Sequence, residues 1–396
     1  MFTVIIFIAV LAVLVLAHEF GHFIVAKRAG VRVEEFGFGF PPRFVGIQRI
    51  HDHGKKKWRI IWGAKPLVGQ GYNYVDSGNT VYSLNWLPLG GFVSLKGENG
   101  EFADEKDGFR QQKAWIRLLV LSAGVLMNLL LAAVLLSFGF MRGIPMDVEP
   151  ARAHARVTGA HVGIVSVLSG TPAAEAGIIE GDIVKGVDDQ LQIHLIDLQH
   201  YINTRAGTPV SFRIERNGTA FDKQITPITL PQTGKGGIGV ALAETGLVSY
   251  SPPWAVVEGF RSAGVLTWET LKGFGQLITG LFQGQKIAEG VTGPVGIAVL
   301  TGKVARMGFV YLLQFMAILS INLAILNIIP FPALDGGRVL FVIIEMFRRG
   351  KPVDKNIERT VHAIGFTLLI LLVLVVTFND LSVMRGAFSG FFKRLF

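Results

Sequence analysis

Four runs of about 20 mostly apolar residues constrain this chain more than anything else in it. They lie at residues 4–26, 118–140, 309–329 and 361–378, each near the ~20 residues with which a helix crosses ~30 Å of hydrocarbon. Lipid offers no partners to a backbone N–H or C=O, so each run is expected to be a membrane-spanning α-helix. Half of the 396 residues are hydrophobic and 17% are charged. A cleaved signal peptide is the rival reading of the first run, but a basic start and a small-residue cleavage site are missing. Cysteine is absent, which excludes disulfides and thiolate metal sites. The net charge of +9 sits mainly beside the apolar runs, and a membrane setting accounts for it without nucleic acid.

The runs divide the chain. Spans are expected in 1–26, 118–142, 309–335 (a helix followed by the "ALDGG" segment) and 361–380, with polar segments at 27–117, 143–250, 251–308 and 336–360 and a tail at 381–396. Lysine and arginine outnumber acids in 27–117 and in 336–360, which the positive-inside rule assigns to the cytoplasm. The N-terminus, the large middle region and the C-terminus then lie outside. Residues 161–230 alternate short β-prone runs with Gly/Asp turns and two helical stretches, and "GTPAAEAGIIEGDIV" makes this part look like a PDZ domain. Such domains take an extended chain as an added strand. Residues 27–117 read as glycine- and aromatic-rich hairpins. "HDHGKKKWR" within them reads as a solvated hairpin tip rather than a metal or nucleic-acid patch. Residues 251–308 read as an amphipathic helical region, in which 251–282 lie along the membrane surface or form a packed soluble helix pair. The fold class is thus a polytopic α-helical membrane protein of about four spans, with a membrane-associated β-region and an inserted PDZ-like α/β domain.

The first run carries "VLAHEFGHFIV", with His18, Glu19 and His22 inside it. Four residues separate the histidines, so a helix puts them on one face. His-Glu-x-x-His on a helix is a zinc-binding pattern in which the glutamate serves as general base. A catalytic zinc usually takes three protein ligands and keeps one open position, so a second polar anomaly is expected at membrane depth. The third run ends in "NLAILNIIPFPALDGGRVLF", where Pro330 and Pro332 break the helix and Asp335 follows. Asp335 can be aimed at a neighbouring helix, can cap the helix that "GGRVLFVIIEMF" begins, or can do both. Glu345 is the other acid nearby that could serve as a third ligand. In the second run, "SAGVLMN" offers small residues for close helix approach and Asn128, which can simply hydrogen-bond across the bundle.

Taken together, these motifs strongly resemble the site-2 protease family of intramembrane zinc metalloproteases, within it the bacterial RseP-like branch. "HEFGH" matches the family's first motif, which implies His18 and His22 as zinc ligands and Glu19 as base. "NIIPFPALDGG" matches the second, implying Asp335 as third ligand and Asn327 as a substrate-positioning residue. "AGVLMN" resembles the small-residue motif of the second span and assigns Gly124 and Asn128 to the core, Asn128 also to substrate. "GFGF" and "WLPLGGFVSLKGE" resemble the β-region that receives substrate as a strand, which brings in Gly90 and Gly91. One PDZ-like domain is found where some relatives carry two, and residues 43–80 are longer and more basic than the usual β-region. The resemblance implies one zinc ion per chain and a bacterial inner-membrane location with the active site towards the cytoplasm. It implies single-span substrates, anti-sigma factors or remnant signal peptides, shortened beforehand by another protease, with the PDZ-like domain contacting substrate or a regulator. A metal-binding membrane scaffold or transporter without catalysis is the alternative, and an intact Glu19 speaks against it.

Overall fold

A computed structural model describes the chain except for residues 53–54, 64–78, 99–105, 149–153, 192–193, 217, 231–233, 284–291 and 396. Two compact units emerge, one built from residues 1–137 and 258–396, the other from 138–257. Among the described residues, four helices are long and apolar enough to cross a membrane: α1 (Phe2–Arg28), α2 (Ala114–Arg142), α7 (Phe309–Ile328) and α9 (Lys355–Leu395, apolar over Asn356–Ser382). Only 6% of the most apolar stretch of α9 is buried by protein, a pattern that suits lipid as the surrounding solvent. α1 stops where its sequence says it should. Lys27 and Arg28 complement the negative end of the helix dipole, and Gly30 at φ +78° follows the cap residue Ala29.

Between α1 and α2 lies a three-stranded antiparallel sheet of β1 (Val33–Asp52), β2 (Lys55–Trp62) and β3 (Val81–Leu95), in the order β2-β1-β3. β1 and β3 are long and bent, so they pair twice: Phe36 faces both Val93 and Tyr82. Residues 91–95 therefore form an outer pass against 33–38, and β2 forms the opposite edge. Asp52 pairs with Lys55, so the expected hairpin tip falls on residues 53–54, outside the described residues. Phe23 and Ala26 from α1 pack with Val33 and Leu95 of the sheet and with Val120 and Leu121 of α2 in one buried cluster. The sheet is thereby fixed to the end of α1 that carries the histidines.

The other helices fill the segments between and after the spans. Residues 252–282 form one continuous helix, α5 (Pro252–Phe282), rather than a helix pair, and α6 (Pro294–Met307) follows. The third span breaks at the two prolines, as the sequence expects. α7 ends at Ile328, because Pro330 lacks the N–H a further turn needs and disfavours helical backbone just before it. A turn then leads into α8 (Asp335–Phe347). The segment 336–360 is therefore largely helical, and α9 carries helix through 381–395, where a tail was expected.

The second unit is larger than the expected 161–230. Its sheet runs β4-β12-β5-β6-β8-β9, with β7 paired to β6. The strands are β4 (Ile144–Asp147), β5 (Arg156–Val167), β6 (Ile183–Val187), β7 (Gln190–Leu191), β8 (Val210–Arg216), β9 (Thr219–Ile225) and β12 (Val240–Ser249). β10 (Ile228–Thr229) and β11 (Gly236–Gly237) pair separately, while α3 (Pro172–Glu175) and α4 (Leu195–Asn203) complete this PDZ-like unit. β4 and β12 escaped the sequence reading because they are recognisable only by pairing, β4 with β12 and β12 with β5. Val162, Leu198, Phe212 and Ile214 are buried at its centre. Beneath them, fully buried Asp182 accepts two hydrogen bonds from Arg216, at 2.6 and 2.7 Å, and one from the Ile179 N–H. The Arg216 bonds hold the Asp182 carboxyl below the usual aspartate range.

Candidate metal centre

Helical spacing puts His18 and His22 of α1 side by side, each 6% exposed. Their Nε2 atoms stand 3.2 Å apart and their rings meet edge to face. Asp335 Oδ2 lies 2.9 Å from His18 Nε2 and 3.3 Å from His22 Nε2. The three potential ligand atoms all fall within 4.8 Å of one another, and no other group of three such residues occurs among the described residues. Asp335 gets there as the first residue of α8. Leu334 is the cap residue and no side chain caps the helix, so the carboxylate is free of the capping role and turns to the histidines. Glu345 is elsewhere, held 2.5 Å from Arg117 Nη2.

The surroundings fit a metal ion. Gly124 of α2 faces the cluster, and a Cβ built on it would stand 2.7 Å from His18 Nε2 and overlap His22 Nε2. Any other residue there would fill the space that a cation bound to these nitrogens needs. Two neutral imidazoles and a carboxylate are also a donor set that zinc accepts. His22 donates from Nδ1 to the Val120 carbonyl at 2.7 Å, which leaves its Nε2 as the ligand atom. Asn128, 0% exposed, has Nδ2 3.2 Å from His18 Nδ1, and its main-chain carbonyl accepts from Ser320 Oγ at 2.8 Å.

Glu19 is half-buried beside the histidines and accepts a hydrogen bond from the Val93 N–H of β3 at 3.1 Å. Gly91 lies alongside: a Cβ on it would be 3.9 Å from Glu19 Cγ. Gly90, at φ +93°, backs onto Val15 of α1. Asn327, near the end of α7, stays half-buried with Nδ2 3.4 Å from His18 Nε2. Asn128 is enclosed and Asn327 is not, so the two asparagines named together from the sequence stand in different environments.

The turn between α7 and α8 has its own support. Ala333, a non-glycine residue at φ +81°, donates its N–H to His362 Nδ1 of α9 at 3.0 Å. Gly365, three residues further on, packs so tightly that a Cβ would overlap Pro332. Sequence reasoning missed His362, the Val120 carbonyl and the Val93 amide. Only His362 left a signal, a polar residue at the start of an apolar run; backbone groups leave none.

Residues 6–64 and 65–372 match the model of Peptidase family M50. The zinc metalloprotease RasP of Geobacillus kaustophilus is 32% identical over 96% of this chain and 98% of its own length. The regulator of sigma-W protease RasP of Bacillus subtilis is 28% identical over the same shares. Among solved structures, the PDZ domain of an SdrC-like protein from Listeria monocytogenes is 24% identical, covering 22% of this chain and 92% of its own, with a TM-score of 0.21.

Proposed function

The chain belongs to Peptidase family M50, the site-2 proteases, and is a zinc metallopeptidase; from that premise we propose that it cuts the transmembrane segments of single-span membrane proteins. The observation that carries this reading is the meeting of His18, His22 and Asp335 next to a carboxylate, Glu19, at the end of an apolar helix. His18, His22 and Asp335 would hold the ion. Zinc held there would supply Lewis acidity for polarising the scissile carbonyl and activating a water.

The other steps belong to side chains and backbone of this chain. Glu19 takes the proton of the attacking water and delivers it to the leaving amine. Its bond from Val93 fixes one carboxylate oxygen and leaves the other for that proton. A substrate helix satisfies its own hydrogen bonds, so it must open before a peptide bond becomes accessible. Adding the opened segment to the outer pass of the sheet, at Gly90, Gly91 and the residues after them, compensates for those lost bonds. Gly91 has no side chain to hold such a strand away from Glu19. The amide of Asn327 then holds the substrate backbone beside His18.

Basic residues at the end of α1 and after α7 support an inner-membrane protein with its active site towards the cytoplasm, and its termini and PDZ-like unit outside. The name of the Bacillus subtilis relative links that protein to sigma-W, which supports anti-sigma factors as substrates here, with remnant signal peptides as the other class the site suits. We read the substrates as shortened beforehand by another protease, and the PDZ-like unit as contacting either substrate or a regulator.

Reconstitution in liposomes with a model single-span substrate tests the proposal. The native chain should cleave it, and Glu19→Gln should retain zinc while cleavage falls by about 10²–10⁴-fold, the usual contribution of a positioned general base. Normal turnover by that variant would remove Glu19 from the mechanism.

A further inference from the structure

α2 meets the two histidines with three positions four residues apart: Val120, Gly124 and Asn128. Helical spacing puts all three on one face. Gly124 leaves the gap over the imidazoles, and the Val120 carbonyl takes the His22 Nδ1 proton. Asn128 stands against His18 Nδ1 at 3.2 Å and is 0% exposed. With Nδ2 facing the ring, Asn128 Oδ1 is buried without a hydrogen-bond partner.

The ring adds a constraint of its own. A neutral imidazole has one N–H and one lone pair. If Asn128 donates to Nδ1, the His18 proton must sit on Nε2, the atom 2.9 Å from Asp335 and 3.2 Å from His22. That tautomer cannot bind a cation through Nε2. A half-turn of the amide about its Cβ–Cγ bond exchanges Oδ1 for Nδ2 with almost no change in shape. Oδ1 then accepts from Nδ1–H, and Nε2 presents its lone pair beside Asp335.

We propose that Asn128 is the positioning residue for His18: its amide oxygen accepts the Nδ1 proton and so fixes the tautomer in which Nε2 serves as the metal ligand. α2 thereby supplies the acceptor for both histidines, a backbone carbonyl for His22 and a side-chain carbonyl for His18. This assignment replaces the substrate contact expected of Asn128, which its burial leaves no surface to make. It rests on the reading of His18, His22 and Asp335 as the zinc ligands.

Two substitutions separate an accepting role from a donating one. Asn128→Asp keeps only acceptors at that place, and Asn128→Leu keeps neither acceptor nor donor at similar size. Zinc affinity is measured on the purified full chain by competition with a chromophoric chelator, together with the visible spectrum after loading with Co²⁺. Asn128→Leu should bind zinc roughly 10–100-fold more weakly, the usual effect of removing an outer-shell partner, with a changed cobalt spectrum. Asn128→Asp should bind at least as tightly as the native chain. Loss of affinity in the Asp variant would make Asn128 a donor and overturn the proposal, and that result is readable even if the Leu variant fails to fold. Native affinity in a folded Leu variant would equally overturn it while leaving the zinc site intact. A native chain that binds no zinc would overturn the ligand reading and this inference together.

Discussion

His18, Glu19, His22 and Asp335 could be read from the sequence because ionisable groups inside apolar runs persist only where something holds them. The i, i+4 spacing of the histidines follows from helix geometry alone, so their shared face needed no tertiary knowledge. Asn128 left more than one role open. An asparagine in an apolar span is equally suited to substrate, a neighbouring helix or a ligand's second nitrogen, and only its enclosure against His18 separates these. Gly124 was legible as a small residue, but its particular use, the space over two imidazole nitrogens, was not. Gly124→Ala tests that use at the residue scale. Its added methyl would occupy the place of the ion, so zinc affinity should fall about tenfold or more, the scale of a damaged metal environment, while the helices stay folded. Chelator competition alongside circular dichroism measures both, and native zinc affinity in Gly124→Ala would show that the gap serves packing alone.

At the scale of elements, the break after α7 was plain from Pro330 and Pro332, yet what holds the resulting turn was not. His362 lies 29 residues beyond Ala333 on another helix, and no local pattern joins them. Sequence could supply the interruption; only packing supplies the support. The same limit explains α8: its opening residues were visible as a helix start, whereas the direction of the Asp335 side chain depends on where α1 stands. His362→Ala removes the acceptor of the half-buried Ala333 N–H and should destabilise the turn by about 0.5–1.5 kcal/mol, the usual net worth of a hydrogen bond. Hydrogen exchange on the full chain should then quicken over 329–337 and leave the α1 histidine region protected. Unchanged exchange in 329–337 would mean that the turn holds itself. Gly365, against Pro332 on the same helix, makes α9 a second support at the same place.

At the scale of the whole molecule, the four spans followed from length and hydropathy, while the extent of the PDZ-like unit did not, since β4 and β12 join it from beyond the recognisable stretch. Its stability should depend on acid in a definite direction. The folded Asp182 carboxyl, bonded by Arg216, titrates below the ordinary aspartate value of about 3.9. The stabilisation is therefore complete above that value and is lost as pH falls through the folded pKa. Hydrogen exchange over 156–249 of the full chain should show protection falling below about pH 4, and less steeply in Asp182→Asn. Asp188 and Glu244 are also held low, by Tyr201 with the Ser211 N–H and by the Leu195 N–H with His194, so the variant should retain part of the dependence. An identical acid slope in Asp182→Asn would exclude this pair as a contributor. The claim on which all else depends is that α1 and the start of α8 share one zinc ion. Zinc content of the purified full chain, measured by mass spectrometry of the metal, tests it most directly. The account predicts one zinc per native chain and its loss from His18→Ala/His22→Ala and from Asp335→Ala; full zinc retained without both histidines would contradict it.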